Sequence, residues 1–162
     1  MQIIRGDDYQ SWVYSNEGDL VVVDPWLTKK QVFPKFSWLL NRESTKKAYL
    51  LSNNLIEKVS HIIITAHFSD HLDAESMNMF SKSIPIYTTH EASKALLKLG
   101  FKNVYAVNQN KSYELNSFVL NVYEAGKPYN TTTFSYSLTD GRAKVFHEPH
   151  MFNTKLDIKD VD

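Results

Sequence analysis

The stretch Val59-Ser60-His61-Ile62-Ile63-Ile64-Thr65-Ala66-His67-Phe68-Ser69-Asp70-His71-Leu72-Asp73 decides how the chain is read. A short run of isoleucines bounded by polar residues is a buried strand. The cluster that follows, His67, Asp70, His71 and Asp73, therefore sits where the strand opens into a loop. Imidazole and carboxylate groups together suit zinc, iron or manganese, and they also serve hydrolysis. The plainer reading is a capped helix start, with Asp70 or Asp73 accepting backbone N–H groups and His71 donating to a neighbour.

Working outward, Leu20-Val21-Val22-Val23 reads as a second central strand, entered through the turn cluster Ser15-Asn16-Glu17-Gly18-Asp19. It ends at Asp24-Pro25-Trp26-Leu27. Proline restrains the residue before it, so Asp24 is expected to be extended in a rigid turn at the strand mouth. From there its carboxylate can orient a ligand histidine from behind or tie down a loop. Downstream, residues 73–81 have helical spacing with Leu72, Glu75, Met79 and Phe80 in reach of one another. Residues 84–89 form a strand, 91–99 a helix closed by Gly100, and 104–107 another strand. That alternation predicts parallel pairing through crossover helices.

After residue 111 the pattern changes to short runs at 113–115, 118–123, 132–138 and 143–146, with Asp140-Gly141 as a hairpin turn. The last run leads into His147-Glu148-Pro149-His150, a second polar constellation at a strand mouth. If both loops lie on one edge, Asp70, His71, Glu148 and His150 line one site. His61 and His90 read as structural. Phe33, Phe36, Trp38, Leu39 and Leu40 make a greasy patch, 33–40, that packs inward or serves as an interface.

Composition narrows the classes. A chain of 162 residues supports one domain, 1–162, and eighteen charges of each sign leave no basic footprint for nucleic acid. There is no cysteine, hence no disulfide, thiolate ligand or cysteine nucleophile. No basic-then-apolar leader and no run near the roughly 20 residues of a membrane span is visible, so a cytoplasmic protein without membrane partners is expected. The glycines are isolated, so no phosphate-cradling loop is present, and no serine sits in a nucleophile elbow.

The order of strand, Asp24-Pro25-Trp26-Leu27, long insert and Ile62-Ile63-Ile64-Thr65-Ala66-His67-Phe68-Ser69-Asp70-His71, with Glu148-Pro149-His150 later, resembles the metallo-β-lactamase superfamily. Within it the chain is similar to a bacterial and photosynthetic-organism branch. The resemblance implies an α/β fold, an αββα sandwich, and the signature His-x-His-x-Asp-His. Carried over residue by residue, the first two histidines of that signature fall at Ala66 and Phe68, while Asp70 and His71 match. His67 takes the intervening position. Lys127 stands after Glu124-Ala125-Gly126 where a histidine is expected, and Glu148 lies near the position of a bridging aspartate. The resemblance also implies a fold with its second half truncated, either a fragment or a chain completed by another copy.

Two functions follow. The favoured one is a superfamily member with a degenerate metal site, weakly active or catalytically silent, used for binding or assembly. In it Lys127 replaces the metal's charge by pairing with Asp70, and a homodimer forms through an exposed sheet edge or the 33–40 patch. The alternative is a metal-dependent hydrolase of a small ester, lactone or phosphoester. There Asp70 is the catalytic carboxylate, and His71, Asp70, Glu148, His150 and His67 are the available ligands for one divalent ion, with zinc first, then iron or manganese.

Overall fold

The computed structural model describes residues 1–32, 41–158 and 161–162. In chain order the first strands are β1 (Gln2–Arg5), β2 (Trp12–Asn16), β3 (Asp19–Val23), β4 (Lys30–Val32) and β5 (Asn41–Glu43). Helix α1 (Tyr49–Ser52), β6 (His61–Ile64), α2 (Ala74–Met77), β7 (Ile86–Thr88), α3 (His90–Lys98) and β8 (Val104–Ala106) follow. The chain then runs through β9 (Ser112–Leu115), β10 (Phe118–Glu124), β11 (Phe134–Thr139) and β12 (Lys144–His147). Six strands form one sheet in the order β1-β2-β3-β6-β7-β8, four form a second in the order β12-β11-β10-β9, and β4 pairs β5.

The first sheet changes character at β3. Its β1, β2 and β3 are antiparallel hairpin partners, whereas β3, β6, β7 and β8 run parallel. Glu17 and Gly18, both at positive φ (50° and 94°), make the two-residue turn between β2 and β3. That geometry matches the twist of the flanking strands, and glycine adopts it without a Cβ clash. The parallel part needs crossovers, supplied by α2 and α3. Asp73 caps α2 by accepting from Ser76 N, and Thr89 caps α3 by accepting from Ala92 N.

Strand periodicity sorts the core into two layers. Leu20, Val22, Ile62, Ile64 and Ile86 face the helices, where Leu50, Met77, Phe80 and Leu96 cover them. Their neighbours Val21, Val23 and Ile63 face the second sheet and meet Leu115, Phe118, Leu120, Val122, Phe134, Tyr136 and Leu138. Alternate residues of a strand point to opposite faces, so a strand covered on both sides must be apolar throughout. The isoleucine run is the consequence.

Several expectations are corrected in detail. Asp24 is not extended but has φ of 44°, because its N–H donates to the Ile63 carbonyl and its own carbonyl accepts from Ser11 Oγ. Residues 73–81 yield only the short helix α2, whose buried face carries Ser76, Met77 and, just beyond it, Phe80, while Met79 is exposed. The 33–40 patch lies outside the described residues. The parallel units, the four hairpin strands and the Asp140-Gly141 turn, with Gly141 at φ 83°, are as expected. No helix is long and apolar enough to cross a membrane among the described residues.

Candidate functional site

Parallel neighbours end on one edge, so β3 and β6, paired at Val23 and Ile63, deliver Asp24 and Thr65 side by side. Asp24 is the anchor of the site and is buried. Its N–H donates to the Ile63 carbonyl at 2.9 Å, and its own carbonyl accepts from Ser11 Oγ at 2.8 Å. These bonds hold a backbone conformation that aspartate tolerates better than most residues. The carboxylate accepts from Thr65 N at 2.8 Å, Thr65 Oγ1 at 2.6 Å and His71 Nδ1 at 2.8 Å.

A carboxylate has no proton to donate, so this network assigns the hydrogen to Nδ1 of His71 and leaves Nε2 available. Burial opposes the charged imidazole, but the Asp24 carboxylate, its hydrogen bond and the Asp70 charge outweigh it, raising the His71 pKa above its ordinary value. The 68–72 turn brings the histidine in, with His71 N and Leu72 N both donating to the Phe68 carbonyl at 2.9 and 2.8 Å. Asp70 Oδ2 lies 3.7 Å from His71 Nε2. The Gln10 side-chain amide donates to the Asp70 carbonyl, tying the β1–β2 loop to this turn.

The second loop contributes His150. Its ring lies 4.6 Å from His71, stacks on Tyr129 at 4.7 Å and 19°, and meets Phe68 edge-on at 5.5 Å. Among the described residues its Nε2 is buried without a hydrogen-bond partner. Burial and the neighbouring His71 lower its pKa, against the pull of Asp70 and Asp24. Such an imidazole is held neutral, the state in which a ring nitrogen can take a metal.

The remaining expected residues lie apart from this group. Glu148 accepts from His150 N at 2.9 Å and Met151 N at 3.1 Å, so it shapes the loop that carries His150. Burial pushes its carboxyl up, against the pull of the His150 and Met151 N–H groups and of the Ser135 hydroxyl. His67 is exposed and packs on Phe68 at 4.5 Å. Lys127 is exposed, and the expected pair with Asp70 is not formed among the described residues, because Lys127 lies on the surface. Asp73 is engaged as the cap of α2.

Sequence reasoning passed over Thr65, Tyr14 and Tyr136, and named His147 within the second constellation without giving it a role. Tyr14 and Tyr136 bring their hydroxyls to 3.2 Å inside the sandwich, and the His147 ring lies 5.4 Å from Tyr136. The signal for Thr65 was its place at the strand end; the tyrosines looked like ordinary inward-facing core. Among the described residues no three His, Asp or Glu side chains meet at metal-ligand spacing. The donor chemistry of Asp70, His71 and His150 nonetheless fits one divalent ion, since Asp24 occupies the far side of His71 and the His150 nitrogen is unpartnered. It does not fit two.

The model of the β-lactamase superfamily domain family matches residues 7–162. A Bacillus subtilis (strain 168) relative, UPF0173 protein YddR, is 28% identical over 105 residues, which cover 62% of this chain and 41% of the relative. In structure the chain is similar to a possible metal-dependent hydrolase from Veillonella parvula DSM 2008. The TM-score is 0.65 at 18% identity, over 85% of this chain and 58% of that one. It is also similar to isothiocyanate hydrolase from Delia radicum gut bacteria, with TM-score 0.67 at 15% identity, over 90% of this chain and 61% of the other. The chain thus spans less than two thirds of the length of each of these proteins, and the two structural likenesses concern the fold alone.

Proposed function

The chain belongs to the metallo-β-lactamase superfamily, and from that premise we propose a hydrolase-like protein with a reduced centre. Asp70, His71 and His150 would hold one divalent ion, and the activity would be weak hydrolysis of a small ester, lactone or phosphoester. The observation that carries this reading is His150, whose buried Nε2, beside the Asp24-anchored His71, has no partner among the described residues. A buried ring nitrogen left unsatisfied is costly, and a ligand that takes its lone pair removes the cost.

A zinc, iron or manganese ion bound there would supply an acidified water and a Lewis acid. The protein's own groups do the rest. Asp24 fixes the tautomer and orientation of His71 through the 2.8 Å bond to Nδ1. Asp70, at the partly open side of the site, accepts the proton of an attacking water. Tyr129 and Phe68 hold the His150 ring and keep water from its buried edge.

Metal analysis of protein purified without chelator, run beside its solution mass, tests the proposal. Near-stoichiometric metal that disappears in His71→Ala and falls in His150→Ala supports it; protein that stays metal-free after incubation with zinc and manganese overturns it. A second reading is favoured by Ala66 and Phe68, which stand where the superfamily signature has histidines, with the Phe68 ring 5.5 Å from His150. On that reading the chain is catalytically silent and serves binding or assembly, and its oligomeric state is indifferent to chelation.

A further inference from the structure

The rings around the site bear on what it accepts. At the His150 flank, Tyr129 stacks on the imidazole at 4.7 Å, Phe68 meets it at 5.5 Å, and Phe68 and Tyr129 lie edge-to-face at 6.5 Å. At the Asp70 flank stands Tyr9, brought there with Gln10, whose amide bonds the Asp70 carbonyl. The Tyr9 ring packs edge-on against Trp26 at 6.4 Å. Phe68, Tyr129 and Tyr9 are all half-buried, so each presents part of its surface to whatever enters.

Charge points the same way. The charged groups that act on His150 are His71 and the carboxylates of Asp70 and Asp24. The cation nearest in the fold to Tyr9, Arg42, lies over that ring at 4.7 Å but is committed to Asp8, through Oδ1 at 3.2 Å and the carbonyl at 2.8 Å. Lys127 is exposed and forms no ion pair with Asp70 among the described residues. An anionic group entering here meets the Asp70 carboxylate, and among the described residues no lysine or arginine fork is placed to receive it, which is the reverse of a phosphate site.

We infer that the site takes a neutral ligand with a planar apolar group, an aryl ester or aryl-substituted lactone, whose ring lies against Phe68 and Tyr129 while its carbonyl is presented to Asp70, His71 and His150. This narrows the substrate class of the proposed hydrolase and rests on that reading for the chemistry, though not for the binding. Phe68 is then the specificity-determining residue: the side chain that departs from the superfamily signature converts a polar subsite into an aromatic wall.

The test is binding, read separately from metal content and from turnover. Methyl benzoate and phenyl phosphate are titrated into the full chain, with and without zinc, while the ring resonances of tyrosine, phenylalanine and histidine are followed by NMR. The expected result is saturable binding of methyl benzoate with shifts at Tyr129 and His150. Binding weakens about tenfold in Phe68→Ala, the scale of one lost aromatic contact, and is retained in Phe68→Tyr. Without zinc, phenyl phosphate binds at least about tenfold more weakly, because the Asp70 carboxylate repels it. Tyr129→Leu serves as the second variant where Phe68→Ala does not fold. Failure of methyl benzoate to saturate, equal binding of phenyl phosphate without zinc, or indifference to both substitutions overturns the inference. Aryl binding by a protein that takes up no metal overturns the proposed hydrolase and leaves the aryl site standing.

Discussion

The two loops that meet at the site are held in different ways. The loop after β6 is fastened from beneath: Asp24 takes three hydrogen bonds, two from Thr65 and one from His71, in a buried setting. The loop after β12 is held from the side. Glu148 bonds the backbone of His150 and Met151, Gly126 N donates to the Met151 carbonyl at 2.6 Å, and His150 itself is placed by ring contacts. A Cβ at Gly126 would come within 2.6 Å of the Met151 and Phe152 carbonyls, so only glycine allows that approach. The first loop is rigid through charge-assisted bonds; the second depends on packing and leaves a polar atom unsatisfied.

The largest expected effect breaks the first loop. Asp24→Ala strands a buried imidazole and the Thr65 hydroxyl and N–H, and costs about 3–5 kcal/mol of stability, measured by urea unfolding. Asp24→Asn keeps the volume but loses the charge, so metal affinity falls about 10- to 100-fold while the fold persists. If Asp24→Asn binds metal as tightly as the parent, Asp24 is not the orienting group.

The second loop is predicted to yield more gently. Glu148→Ala removes the acceptor for His150 N and Met151 N and costs about 1–3 kcal/mol. Tyr129→Leu costs about 0.5–1.5 kcal/mol through the lost stacking. A Glu148→Ala loss as large as that of Asp24→Ala would erase the contrast between the loops.

Acid sharpens the same contrast. His150 and His147 have lowered pKa values, first through burial, with His71 adding to it, and His61 is lowered by burial. For each, the unfolded state binds the proton more readily, so stability falls as pH drops below about 6.5 toward the folded values. His71 is raised, so its contribution is complete below about 6.5 and is lost as pH rises through its folded value. Three lowered imidazoles, opposed by His71 and by the Glu148 carboxyl whose raised pKa favours the folded state on protonation, predict a protein less stable near pH 5 than near pH 7. In His150→Phe that acid loss shrinks, whereas in His71→Phe it grows; thermal unfolding across this range reads both.

Much of this architecture was present in the order of residues. The isoleucine run and Leu20-Val21-Val22-Val23 could only be central strands, because apolar side chains on both faces require cover on both. The strand-helix alternation through residue 107 forced parallel pairing, which in turn placed Asp24, Thr65 and the 67–73 loop on one edge. Asp70 and His71 were placed at that strand mouth for that reason, and Asp24 as the group behind a histidine, which its bond to His71 Nδ1 matches. Tertiary structure alone decided the rest. It gave Asp24 a positive φ, since hydrogen bonds from Ser11 and to Ile63 lie outside its local sequence. It put Lys127 on the surface, turned Glu148 toward backbone N–H groups, and set His150 between Tyr129 and His71. Periodicity reports which face of an element is buried; which side chains from distant segments meet there depends on how the loops pack, and no local pattern encodes that.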